Sequence, residues 1–87
     1  MSEMDWESYG LVIGSQHRKT VVKSLFRKVK SPSQISHDLG LTPSRVSKIL
    51  NELNNHNLVI CLTPKLRKGR IYGLTEKGKL IAAKIEE

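Results

Sequence analysis

Residues 41–53, LTPSRVSKILNEL, combine hydroxyl, amide and basic side chains with an apolar stripe at helical spacing. The apolar positions follow the i, i+3, i+4 and i+7 pattern of a buried helix face, with Val46, Ile49, Leu50 and Leu53 in the stripe. Thr42 is suited to cap this helix and Pro43 to its first position, so free backbone N–H groups lie beside Arg45. This end of the helix favours an anion such as phosphate. An ordinary amphipathic helix has the same pattern, so the flanking residues must distinguish the two interpretations.

Composition limits the function. The chain has 87 residues, enough for one small domain (1–87) without a separate catalytic domain. Fifteen Lys and Arg against eight Asp and Glu give a net charge of +7, which favours a polyanionic partner, either nucleic acid or an anionic membrane. Six of these bases lie in residues 15–30 and four more in the segment PKLRKGR at 64–70. Because no apolar run approaches about 18 residues and the N-terminus is acidic, we expect a cytoplasmic protein with no membrane association.

The spacing before residue 41 predicts three helices. Trp6, Tyr9 and Ile13 favour a short N-terminal helix, with a strand as the alternative. Ser15 can cap a second helix over 16–28, whose inward face we expect to hold Val21, Val22, Leu25, Phe26 and Val29. Ser31 and Gln34 form a capping box for a two-turn helix that ends at Gly40.

After the helix at 43–56, where Asn57 can take the left-handed stop, the apolar period changes to two. Residues 58–63 and RIYGL then predict a β-hairpin with a basic tip. Thr75 can cap a last helix that runs to the end of the chain. Cys61, the single cysteine, excludes an internal disulfide, and we expect it to be a small core residue.

The predicted fold class is mainly α with a small β-hairpin, in the order helix, helix, helix, strand, strand, helix, with a short extra N-terminal helix. Two helices joined by a short Gly-containing turn form a helix-turn-helix, whose second helix enters the major groove of DNA. The basic hairpin is then typical of a wing that contacts the phosphate backbone or the minor groove.

The sequence resembles the winged helix-turn-helix transcriptional regulators of archaea and bacteria, near the ArsR-like and MarR-like groups. The resemblance covers about residues 16–80 and rests on SPSQISHDLGLTPSRVSKILNEL, NLVICLTP and KGRIYGLTEKG. It implies a sequence-specific regulator of double-stranded DNA that forms a homodimer, with recognition helix 43–56 in the major groove and wing 64–70 on the backbone or minor groove. By position, it implies DNA contacts from Ser33, Gln34, Ser44, Arg45, Ser47, Lys48, Lys68 and Arg70. The polar and basic pattern of the same elements adds Thr42, Asn51, Lys65 and Arg67.

Other kinds of site are disfavoured. His17, His37 and His56 lack metal-ligand spacing, and the Cys-x-Cys motif of metal sensing is absent. We therefore expect no metal and no cofactor. No phosphate loop or nucleophile elbow occurs, and Asp38 and Glu52 are isolated carboxylates on separate helices, so we expect no enzymatic activity.

Two alternatives stay open at this level. The same fold serves as a protein-interaction module in transcription or replication assemblies, although the basic residues fall on the elements that would touch DNA.

The second alternative concerns the oligomeric state. Surplus apolar residues in the N-terminal extension, 1–14, and in the C-terminal helix, 75–87, predict that both segments form a homodimer interface, whereas in a monomer they would fold onto their own core.

Overall fold

The computed structural model describes residues 4–87, which form five helices and one antiparallel hairpin. This is the predicted element order, including the short N-terminal helix rather than a strand. The elements are α1 (Trp6–Ile13), α2 (Gln16–Arg27), α3 (Pro32–Leu39), α4 (Pro43–Asn55), β1 (Val59–Cys61), β2 (Tyr72–Leu74) and α5 (Glu76–Glu86). Residues 1–3 of the predicted N-terminal extension lie outside the described residues.

The predicted caps of α2 to α5 are present. Ser15, Ser31, Thr42 and Thr75 each accept a hydrogen bond from the backbone N–H three residues on, which satisfies a free donor at the start of the helix. Ser31 and Gln34 form the complete capping box. The cap of α1 was not predicted: the Asp5 carboxylate accepts a hydrogen bond from the backbone N–H of Ser8 at 3.1 Å.

Left-handed residues end α3 and α4 as predicted. Gly40 has φ 65° and Asn57 has φ 60°, so the chain leaves each helix sharply. The turn between α3 and α4 is closed by the backbone N–H of Leu41, which donates to the Ser36 carbonyl at 3.1 Å. The helix-turn-helix therefore follows from local backbone signals.

The predicted apolar stripe of α4 is buried against one core that all five helices and the hairpin share. Its members are Val12, Val21, Val22, Leu25, Ile35, Val46, Ile49, Leu50, Leu53, Leu58, Val59, Leu74, Ile81 and Ala82. Burying one face of α4 turns its polar face to solvent. Cys61, expected in the core, lies half-buried on β1.

The hairpin pairs Val59 with Leu74 and Cys61 with Tyr72. The first strand is shorter than the predicted 58–63, although one more backbone hydrogen bond, from the Leu62 N–H to the Ile71 carbonyl at 2.7 Å, joins the two arms beyond it. A third segment, which was not predicted, pairs with the hairpin. Lys30 exchanges backbone hydrogen bonds with Tyr72 of β2 at 3.1 and 2.8 Å. A single-residue bridge has no periodicity, so no sequence pattern indicates it.

Helix ends and faces differ from the predictions in several places. α2 ends at Arg27 instead of residue 28, and the recognition helix ends at Asn55, with His56 as its cap. Phe26 and Val29, predicted to face inward, are exposed because they lie at and beyond the end of α2, past the edge of the core. The buried residues of α1 are Ser8 and Val12.

Candidate nucleic-acid interface

The exposed face of α4 has the composition that DNA contact requires. Five predicted contact residues, Ser44, Arg45, Ser47, Lys48 and Asn51, are all exposed. The first turn of α4 contains no acidic residue. Because the opposite stripe is buried in the core, this helix presents hydrogen-bond donors and positive charge to solvent along its first three turns.

Arg45 is held at the start of α4 by two neighbours. Its backbone N–H donates to the Thr42 hydroxyl at 3.2 Å, and its guanidinium Nη1 lies 3.4 Å from Nδ1 of His17. Because a guanidinium only donates, the imidazole nitrogen is the acceptor in this contact. His17, which was not among the predicted contact residues, therefore lies beside the first turn of α4.

An ion pair attaches the recognition helix to the rest of the domain. The Arg18 guanidinium donates to both carboxylate oxygens of Glu52, at 3.3 and 3.2 Å, and to the Leu11 carbonyl at 3.2 Å. This bidentate contact holds the pKa of Glu52 below its ordinary value, against the opposing effect of burial. Glu52 is thus a paired carboxylate rather than an isolated one, and Arg18 joins α1, α2 and α4.

A second ion pair orients α3. The Lys30 ammonium lies 2.7 Å from Asp38 and 2.7 Å from the Ser24 hydroxyl, so it joins the end of α2 to α3. The hydrogen bond from Lys30 lowers the pKa of Asp38. Ser33 and Gln34 are exposed at the start of α3, but the Gln34 side chain already accepts the Ser31 backbone N–H at 3.0 Å. Of these two residues, Ser33 has the freer side chain.

The wing loop exposes its basic side chains while its backbone is closed internally. Lys65, Arg67, Lys68 and Arg70 are all exposed. The Arg70 guanidinium donates through Nε to the Leu66 carbonyl at 2.6 Å, and the Ile71 N–H donates to the Thr63 hydroxyl at 2.9 Å. Gly69 turns the tip with φ 68°. Arg70 therefore shapes the loop, whereas the three other bases extend from it.

The predicted contact residues lie in three groups in the structure, on α3, on α4 with its cap, and on the wing loop. Arg45 and Lys48 share a concavity of about 130 Å³ with His17 and Arg18. Within residues 4–87, no hydrogen bond joins a wing side chain to one on α4. The six bases in residues 15–30 were the sequence signal for a contribution of α2 to this surface, but only folding places the first turn of α2 beside Arg45.

The chain belongs to the arsR family of bacterial regulatory proteins, whose family model matches residues 15–60, more than half of the chain. This membership and the winged-helix fold together show the class of the protein, a transcriptional regulator that binds DNA. The resemblance to archaeal and bacterial regulators is thereby confirmed on the bacterial side. No curated protein matches the chain.

Several solved structures share the fold. YodB from B. subtilis, solved in a quinone-bound form, has 21% identity and a TM-score of 0.76, with 98% of this chain and 90% of that chain covered. HlyU from Vibrio cholerae has 19% identity and a TM-score of 0.75 over 97% and 95% of the two chains. ZitR from Lactococcus lactis has 19% identity and a TM-score of 0.75 over 83% of this chain. The present chain spans half the length of that ZitR chain.

Two further observations concern other kinds of site. Within residues 4–87, no three His, Cys, Asp or Glu side chains lie close enough together to hold a metal ion. None of the helices described has the length and apolar character needed to cross a bilayer. The arsR family is a class of regulators. That this protein binds no metal and has no enzymatic activity remains a prediction.

Proposed function

We propose that this protein is a homodimeric, cytoplasmic regulator that recognises a specific sequence in double-stranded DNA and performs no catalysis. The observation that supports this most directly is the exposed face of α4, which is polar and basic while its apolar stripe is fully used by the core. In this proposal the whole chain, 1–87, is one DNA-binding domain. α4 enters the major groove and the wing contacts the backbone or minor groove.

The proposed contacts divide by chemistry. In this proposal Arg45, Lys48 and Asn51 contact base edges, which is supported by their exposure on the first three turns of α4. Ser44, Ser47 and Thr42 at the start of α4, with Ser33 and Gln34 on α3, suit phosphate contacts that set the register on the duplex. The four wing bases add contacts of the same kind.

The alternative function, a protein-interaction module, has less support. Such a module would need exposed apolar side chains on α4, and the exposed large apolar residues among those described lie on other segments. On the wing loop itself, only Leu66 is of this kind.

Selection from a random pool of duplex DNA tests the proposed function. We expect the bound sequences to converge on an inverted repeat with half-site centres about 34 Å apart, one helical turn, because a two-fold dimer presents two recognition helices. A pool that fails to converge, with binding only at low salt, would contradict sequence-specific recognition. A single unrepeated motif would contradict the symmetric dimer alone.

Neutralising one wing lysine tests the role of the wing. We expect Lys68→Gln to weaken binding to specific and unrelated DNA alike and to reduce the log–log salt slope by about one, because one phosphate contact is lost. Fluorescence anisotropy over a salt series measures both quantities. If the variant loses sequence preference but keeps its salt slope, the wing reads bases instead.

The proposed dimer interface combines α1 and α5. Lys77 on α5 lies 2.6 Å from Asp5, the cap of α1, so the two helices are joined at their starts. Near this contact Trp6 is 62% exposed and Leu80 is 38% exposed. Ile81 and Ala82 belong to the apolar residues of the C-terminal helix that the sequence predicted for the interface, but both are buried in the protomer. The apolar surface available to a partner is therefore smaller than the sequence suggested.

Sedimentation equilibrium at micromolar concentration tests this interface. We expect the wild type to have about twice the 9.8 kDa mass of one chain and Leu80→Glu to have the monomer mass, because a buried unpaired carboxylate is unfavourable. Leu66→Glu, at a leucine of the wing that is 48% exposed, is the control and should leave the mass unchanged. A wild-type mass of 9.8 kDa at every concentration would rule out the dimer.

A further inference from the structure

A groove lies between the end of α2, the hairpin and the first turn of α5, and none of its lining residues is a proposed DNA contact. We call it the α2–hairpin groove and define it by Phe26, Arg27, Lys28, Val29, Leu62, Gly73 and Lys79. Its volume is about 320 Å³, at the lower end of the range for small-molecule sites. Neither the interface described above nor the proposed dimer uses it.

The groove gathers apolar side chains that the core leaves exposed. Phe26 is 41% exposed, Val29 47% and Leu62 50%. They come from two segments that are distant in the sequence, yet they line one concavity. Single exposed apolar residues are ordinary on a protein surface, whereas a contiguous group in a concavity marks a surface that binds something apolar.

Gly73 sets the depth of this groove. A Cβ at residue 73 would lie 3.1 Å from Cγ1 of Val29 and 3.2 Å from Cδ1 of Leu62, closer than ordinary van der Waals contact. The absence of a side chain at residue 73 therefore lets Val29 and Leu62 lie close to the backbone of β2. A larger residue would have to displace them.

Positive charge surrounds the apolar surface. Arg27, Lys28 and Lys79 line the groove, all three are exposed, and no acidic side chain is among its lining residues. In the part of the chain that the structure describes, Arg27 and Lys28 make no salt bridge, and Lys79 has only an exposed contact with Glu76 at 3.8 Å. An occupant that complements this groove therefore has an apolar body and a negative group.

We propose that the α2–hairpin groove binds an amphipathic organic anion, an aliphatic or aromatic body with a carboxylate or sulfonate group. The body packs against Phe26, Val29 and Leu62, and the acidic group lies near the three bases. The size of the groove suits a small molecule rather than a protein helix. Lys30 follows Val29 directly. Its backbone is hydrogen-bonded to that of Tyr72 in the hairpin, and its ammonium group forms an ion pair with Asp38 of α3. An occupant therefore lies next to the contacts that join the wing to the helix-turn-helix.

Titration of the ¹⁵N-labelled protein with sodium decanoate, below its micelle concentration, tests this proposal. We expect saturable shifts of the backbone amides at residues 26–29, 62 and 73, and weaker binding of decanol and of decyltrimethylammonium. Phe26→Gln should weaken decanoate binding about tenfold through lost apolar contact. Lys28→Gln should weaken the binding of decanoate while leaving that of decanol unchanged.

Leu66→Gln is the matched control, since it removes a similarly exposed apolar residue from the wing loop, outside both the groove and the proposed dimer interface. Equal weakening by Leu66→Gln, or shifts scattered over the whole surface, would overturn the proposal. So would equal binding of the cationic probe. If Phe26→Gln instead lowers the mass at sedimentation equilibrium, the groove is an interface between two copies, which also overturns it. Leu62→Gln provides a second variant should Phe26→Gln fail to give a folded spectrum. DNA takes no part in this titration, so its outcome is independent of the proposed DNA recognition.

Discussion

Replacing Arg45 with alanine is expected to weaken binding to the preferred DNA site by about 1 to 3 kcal/mol, which is about 5- to 150-fold in the dissociation constant. Arg45 is exposed on the first turn of α4, and its guanidinium can contact guanine in the major groove with two parallel hydrogen bonds. The variant should fold normally, because the side chain loses only its exposed contact with His17. Fluorescence anisotropy measures the dissociation constant for the selected site and for unrelated DNA. A loss of base recognition weakens only the first, whereas a loss of charge weakens both.

Two companion variants give this measurement its controls. Arg45→Lys keeps the charge but not the planar fork, so it should lose sequence preference and keep affinity for unrelated DNA. Arg27→Ala removes the same side chain from the far end of α2, roughly 15 Å along the helix axis from His17, and should leave DNA binding nearly unchanged. If Arg45→Ala leaves both affinity and sequence preference intact, Arg45 does not read the DNA.

Replacing Gly78 with alanine is expected to lower the free energy of unfolding by about 1 to 3 kcal/mol or more. Gly78 is buried in the first turn of α5, and a Cβ there would overlap the carbonyl oxygen of Leu58. That carbonyl also accepts the Thr75 backbone N–H at 3.1 Å, so it cannot move without loss of the contact that starts α5. Urea unfolding followed by circular dichroism, at one fixed protein concentration, measures the change.

The matched control for this second variant is Gly10→Ala in α1. Nothing lies within 4 Å of a Cβ at residue 10, so the substitution should stabilise the helix by about 0.5 to 1 kcal/mol, the ordinary helix preference for alanine over glycine. The two glycine variants should therefore have opposite signs. A Gly78→Ala protein at least as stable as the wild type would mean that α5 does not pack this closely against Leu58.

Local signals in the sequence determined the helices and their ends. The apolar stripe of α4 predicted the buried face because side-chain direction repeats every 3.6 residues, and the Ser31–Gln34 capping box and Thr42 predicted where α3 and α4 start. Asn57 was recognised as a left-handed stop from its type and position alone. All of these signals act between residues no more than about two turns apart, so they need no tertiary structure.

Tertiary structure alone decided which distant residues meet. The pairing of Arg18 with Glu52 spans 34 positions, and Lys30 joins Tyr72 through a bridge without any repeating pattern. The close approach of Gly78 to Leu58 likewise depends on how α5 packs against the segment between α4 and β1. Each of these contacts is set by the packing of whole elements around one core, and side-chain type and spacing along the chain do not encode the relative placement of those elements.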